Sequence, residues 1–221
     1  MLACPSPNFG PRRDGLRPEL VVLHYTEMAS AEAALERLCS PAAEVSAHYL
    51  IGADGRIWQL VDEAMRAWHA GAGSWQGRED VNSRSIGIEI DNDGAAPFTH
   101  AQMRALEGLL RAMMTRWAIP PEAVIAHSDM APGRKIDPGP RFDWRGLALR
   151  GLSIWPAASG DGAAPLGPSL DAIGYPPGER RLAAFRLRFR PGVGDLPEDA
   201  TDRALADALA RRQWIAPKLQ D

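Results

Sequence analysis

Cysteine is scarce in this chain of 221 residues. Cys4 and Cys39 are too few for a disulfide framework, and neither has a second Cys or a His at finger-like spacing, so a structural zinc knot is excluded and both read as plain thiols. No apolar run approaches the roughly 18 to 20 residues that crossing a bilayer takes, and no charged segment followed by an apolar core opens the chain. The protein therefore reads as cytoplasmic and without a membrane span. Leu2-Ala3-Cys4 resembles the end of a bacterial lipoprotein cleavage site, and a trimmed N-terminal signal would change that reading to a periplasmic or outer-membrane lipoprotein. A basic excess is also missing: a net charge of -3 and a pI near 6.0 exclude a general nucleic-acid partner. There is no His-Glu-x-x-His stretch, which disfavours the zinc proteases built on that helix.

What the chain does have is the composition of a globular protein, 45% hydrophobic and 24% charged, enough for one domain or one domain with an appendage. Glu19 to Thr26 is an aliphatic run short enough to be a buried strand, with His24 near its end. Ala31 to Leu38 reads as a helix, and Ala47 to Ile51 with Ile57 to Val61 reads as a hairpin around Asp54-Gly55. Ser85 to Ile90 is a further strand whose alternation puts Ile86, Ile88 and Ile90 on one face and Gly87 and Glu89 on the other. From Thr99 the period becomes helical. Thr99 and Gln102 form a capping box, and Met103, Leu106, Leu110, Met113, Met114 and Trp117 make one stripe before Pro120-Pro121 ends the helix. Ala123 to Ala126 is a short strand delivering His127, and a helix is expected near Trp144 to Leu149. Interleaved strands and helices give an α/β or α+β class.

The segment His127-Ser128-Asp129-Met130-Ala131-Pro132-Gly133-Arg134-Lys135-Ile136-Asp137-Pro138-Gly139-Pro140 stands out. Its prolines fix φ and remove amide donors, its glycines allow turns, and it reads as a rigid loop rather than a helix or central strand. Imidazole and carboxylate are zinc ligands, and a catalytic zinc takes three of them plus water. His127 and Asp137 could supply two and His24 the third. Glu89 could then take a proton from water and return it to a departing nitrogen, while Lys135 stabilises charge developing on a carbonyl oxygen. Residue chemistry alone leaves His48, His69 and His100, and Asp91, Asp93 and Asp129, as alternative ligands.

Five ordered motifs narrow the choice: Val22-Leu23-His24-Tyr25-Thr26, Ser46-Ala47-His48-Tyr49, Ala67-Trp68-His69-Ala70-Gly71, Ser85-Ile86-Gly87-Ile88-Glu89, and His127-Ser128-Asp129 through Lys135-Ile136-Asp137-Pro138-Gly139. Over roughly residues 18 to 150 the chain resembles the type 2 N-acetylmuramoyl-L-alanine amidases. That resemblance implies a mixed central β-sheet flanked by helices and zinc (Zn2+) bound by His24, His127 and Asp137. It assigns catalytic roles to Glu89 and Lys135. The implied reaction cleaves the amide between the lactyl group of N-acetylmuramic acid and L-alanine of the stem peptide. The partners are then peptidoglycan fragments (muropeptides), soluble recycling pieces bearing 1,6-anhydro-N-acetylmuramic acid if the protein is cytoplasmic. A non-catalytic muropeptide-binding protein on the same fold is the alternative. Trp68, His69 and, more weakly, Asn82 are candidate substrate contacts. His48 reads as a hydrogen-bonded core residue and His100 as surface.

Residues 156–168, rich in Ala, Gly, Pro and Ser, read as a linker between a catalytic domain over 1–155 and a unit over 169–221. Leu182, Phe185, Leu187 and Phe189, with Leu196, Ala204, Leu205, Ala208 and Leu209, suggest a small three-helix bundle. Ala183 to Gly192 resembles the peptidoglycan-binding domains appended to some of these amidases, the other reading being a helical flap over the amidase surface.

Overall fold

A strand buried on both faces must be apolar at successive positions, as Leu20–Tyr25 is from Leu20 to Leu23, whereas Ser85–Ile90 alternates its isoleucines with Ser85, Gly87 and Glu89. In the computed structural model, which describes residues 1–157 and 161–215, they lie side by side in parallel inside a six-stranded sheet. The strands are β1 (Leu2–Ala3), β2 (Phe9–Pro11), β3 (Leu20–Tyr25), β4 (Tyr49–Ile51), β5 (Ile57–Gln59), β6 (Met65–Ala67), β7 (Ser85–Ile90) and β8 (Val124–Ala126). The sheet order is β1-β5-β4-β7-β3-β8, while β2 and β6 pair separately. β4, β7, β3 and β8 run parallel, and β4 with β5 makes the hairpin expected around Asp54-Gly55. The mixed sheet is the one anticipated.

Helices α1 (Ala31–Leu38), α2 (Val81–Arg84), α3 (His100–Trp117), α4 (His127–Met130) and α5 (Trp144–Leu149) belong to the same half, and α6 (Leu166–Ile173), α7 (Arg181–Phe189) and α8 (Ala200–Ala210) follow. Ser30 caps α1 by accepting from the Ala33 amide, and Thr99 with Gln102 forms the capping box of α3. The α3 stripe buries Leu106, Leu110 and Met113 completely, and the helix stops at Ala118 in a left-handed conformation before Pro120. Cys4 and Cys39 are both half-buried with their sulfurs 3.6 Å apart.

The structure differs from the sequence reading in the His127 segment. Its first four residues form the helical turn α4, because the earliest proline is Pro132 and the Asp129 carboxylate accepts from the Ala126 amide at the turn's start. Only the remainder is the proline-fixed loop. α6 begins at Leu166, inside the stretch read as linker. Residues 158–160 of that stretch and 216–221 of the C-terminal unit lie outside the described residues. The C-terminal helices share one continuous core with the sheet: Leu166, Leu170, Tyr175, Phe185 and Phe189 pack in the same cluster as Val22, Ile125 and Trp144. No helix among the described residues is long and apolar enough to cross a membrane.

Candidate metal centre and active site

The site lies at the carboxyl ends of β7, β3 and β8, where parallel sheets present ligands to a crevice. Register sets its layout. His24 on β3 pairs with Glu89 on β7, and the β3–β8 ladder ends at Leu23 with Ala126, so His127 follows one residue later beside His24. Glu89, His24 and His127 thus line up across three strands, and the loop after α4 returns Asp137 to them.

His24 Nδ1 lies 2.9 Å from His127 Nδ1, and each lies 3.0 Å from Asp137 Oδ2. All three residues are buried. Outer hydrogen bonds fix which nitrogens carry protons. His127 Nε2 is 2.9 Å from the Ala70 carbonyl, which can only accept, so neutral His127 keeps its proton on Nε2. On the other side the Ser85 hydroxyl donates to Val81 O at 2.6 Å and accepts from His69 Nε2 at 3.1 Å. His69 Nδ1, left bare, accepts from His24 Nε2 at 3.0 Å. Both Nδ1 atoms are therefore lone pairs facing each other and a carboxylate. Burial, then the neighbouring His127, pulls the His24 imidazole down to about 4, so it is neutral at pH 7. Three converging acceptors without a proton between them suit a cation, and this His-His-Asp set fits zinc.

These residues open into a cleft of about 450 Å³ lined also by Tyr25, Arg37, Trp68, Glu89, Lys135 and Ile136. Glu89 Oε2 is hidden from solvent and has no hydrogen-bond partner. Burial, and then the charge of Asp137, pushes the Glu89 carboxyl well above its ordinary value. Lys135 is exposed on the cleft wall, two residues before Asp137. Trp68 is half-buried on that wall, where an aromatic face can meet substrate.

Two candidate substrate contacts are placed otherwise. His69 borders the cleft, and both of its ring nitrogens are taken by His24 and Ser85, so it orients the His24 ring. Burial, then His24, depresses its pKa well below the usual histidine value. Asn82 is buried, and its Oδ1 accepts from the amides of His69 and Ala70 at 3.0 and 2.9 Å. It clamps the backbone of that segment, since a polar side chain on a buried turn satisfies the nearest amides first. His48 is wholly buried, accepting from the Gly87 amide, and His100 is exposed. Sequence reasoning missed Ser85 and also Arg134, whose guanidinium donates to the carbonyls of Ala70 and Ala72. No spacing rule marks a serine or arginine for such work.

A parallel-sheet crevice with three side chains that could hold a metal ion, a shielded carboxyl and an exposed lysine has the layout of a hydrolase of α/β architecture. A family model for N-acetylmuramoyl-L-alanine amidases matches residues 14–140. The N-acetylmuramoyl-L-alanine amidase AmiD of Escherichia coli is 38% identical, covering 89% of this chain and 83% of that protein. The 1,6-anhydro-N-acetylmuramyl-L-alanine amidase AmpD of Citrobacter freundii is also 38% identical, over 63% of this chain and 84% of its own. The solved structure of E. coli AmiD in complex with the substrate anhydro-N-acetylmuramic acid-L-Ala-D-γ-Glu-L-Lys superposes with a TM-score of 0.82 at 36% identity, covering 91% of each chain. AmpDh3 of Pseudomonas aeruginosa gives 0.81 at 32% identity, over 90% and 94%. The chain belongs to the N-acetylmuramoyl-L-alanine amidase family, which is zinc-dependent in general, and is an enzyme of that activity.

Proposed function

We propose that this chain releases the stem peptide from anhydro-N-acetylmuramyl peptides, with zinc held by His24, His127 and Asp137, Glu89 as general base and acid, and Lys135 as the oxyanion contact. The observation that carries it is the convergence of two bare Nδ1 atoms and a carboxylate within 3.0 Å of one another. The anhydro-muramyl substrate is supported by likeness to AmiD, solved with such a ligand, and to AmpD, whose name specifies it. A bound zinc supplies an electrophile and lowers the pKa of water.

The chain's own residues do the rest. Glu89, kept basic by burial, takes the proton of the attacking water and later gives it to the departing alanine nitrogen. Lys135 meets the negative charge growing on the lactyl carbonyl oxygen. Trp68 packs against the sugar or the peptide. Arg134, Asn82 and Ser85 hold the His69–Ala70 segment to which both histidine donors are tied. We take residues 1–155 as the catalytic part and the helices beyond 156–168 as a C-terminal unit.

The test is mass spectrometry of products from matched anhydro and reducing-end muropeptides and from intact sacculi. Free stem peptide from the anhydro form, abolished by a chelator and restored by zinc, is expected. Release from sacculi alone would overturn the substrate reading, and cleavage by the metal-free protein would overturn the zinc reading.

A further inference from the structure

Asp129 has no solvent exposure, yet it sits on the turn that begins with the metal donor His127 and binds no metal donor itself. Its carboxylate has three partners. Oδ2 accepts from the Ala126 amide at 2.9 Å, immediately before His127, and from Arg188 Nη1 at 2.6 Å; Oδ1 accepts from the Tyr175 hydroxyl at 2.6 Å. Tyr175 follows α6 and Arg188 lies on α7, so two of the three partners come from the C-terminal helices. Both are 3% exposed.

Arg188 is fixed from several sides. Nη2 donates to Val124 O at 3.1 Å and to Ser153 Oγ at 3.0 Å, and its guanidinium lies 4.1 Å from the centre of the Trp144 ring. It therefore ties β8, α5 and the Asp129 carboxylate into one arrangement. The same turn governs the third donor, because the Ser128 amide donates to the Asp137 carbonyl at 3.1 Å. Displacing α4 displaces His127 and Asp137 together. A planar guanidinium with several fixed partners transmits orientation in a way a mobile surface cation does not.

We infer that Tyr175 and Arg188, supplied by the C-terminal helices, are positioning residues that act through Asp129 to hold the turn setting His127 and Asp137. This rests on the proposed ligand set. It gives the Ala183 to Gly192 motif a task inside the molecule, since Arg188 points into the catalytic half.

The experiment measures zinc dissociation constants by chelator competition on the full chain, alongside melting temperatures, for the unsubstituted protein, Tyr175→Phe, Arg188→Met and Leu209→Ala. Leu209 is buried on α8 and is not among the hydrogen-bond partners of Asp129, so Leu209→Ala is the control for lost stability alone. Tyr175→Phe removes one hydroxyl and carries the test if Arg188→Met fails to fold. Zinc binding weakened roughly tenfold or more in Tyr175→Phe, with Leu209→Ala unchanged despite an equal or larger drop in melting temperature, is expected for loss of an outer support to a metal donor. Unchanged affinity in Tyr175→Phe, or affinity that tracks melting temperature across all variants, would overturn the inference. If the unsubstituted protein binds no zinc, the ligand set itself is wrong and the inference goes with it; only that outcome touches the proposed function.

Discussion

A methyl group added at Gly87 would stand 2.4 Å from the His69 ring, closer than any real Cβ contact. The ring cannot retreat without leaving His24 Nε2 and Ser85, so the strain of Gly87→Ala is delivered to His24, the proposed metal donor, and not to the sheet. Zinc affinity is expected to fall roughly tenfold or more, with far-ultraviolet circular dichroism unchanged. A variant that binds zinc like its parent would show that His69 has somewhere else to go. Lys135 gives the opposite signature. Exposed and outside the donor set, it is expected to leave zinc bound when changed to Ala while kcat drops about 10²-fold or more, the size of one lost oxyanion contact. Steady-state kinetics beside metal analysis separate the two cases. Glu89→Gln, isosteric and unable to take a proton, is expected to retain zinc and lose about 10² to 10⁴ in kcat.

Among the elements, β4, the segment before β6 and α3 are joined by one carboxylate. Glu63 is 5% exposed and accepts from Tyr49 at 2.7 Å, from Arg116 at 2.6 Å and from Trp117. Burial would raise its carboxyl, but the hydrogen bonds from Arg116, Tyr49 and Trp117 outweigh it and leave the folded-state value below the usual carboxylate range. The sign follows. A carboxyl depressed on folding contributes its full stability above the unfolded value of about 4.3 and loses it as pH falls toward the folded one. Denaturant melts from pH 7 to pH 3 are expected to show the parent losing more stability than Glu63→Gln, and parallel curves would refute the role. The long elements were legible in the sequence because each satisfies a local rule: α3 has cap, stripe and stop signal, β3 has an aliphatic run from Leu20 to Leu23, and β7 has a strict alternation of isoleucines. β1, β2 and β6 were not, since two- or three-residue strands exist only through their partners. The same limit applied to the site. His24, Glu89, His127, Lys135 and Asp137 sit in ordered motifs, whereas the tasks of His69 and Asn82 depend on which atoms surround them after folding.

For the whole molecule the question is whether the C-terminal helices are a separable unit, as the Ala-, Gly- and Pro-rich stretch after Trp155 suggests. The packing opposes independence. Tyr175 meets Trp75 edge-on with ring centres 5.3 Å apart, Phe185 and Phe189 sit in the core shared with the sheet, and the ion pair of Arg188 with Asp129 crosses between the halves fully buried. Removing the helices would strip that apolar cover and leave Asp129 without its cation. Breaking one buried pair by deleting a partner costs about 3–5 kcal/mol, a large share of the roughly 5–15 kcal/mol that keeps a protein folded. Calorimetry of the full chain is therefore expected to show a single cooperative transition with matching calorimetric and van't Hoff enthalpies. A chain cut after Ala157 is expected to aggregate or melt far lower. Two resolved transitions, with a truncated protein as stable as the parent, would make the helices an appendage and the shared core an incidental contact.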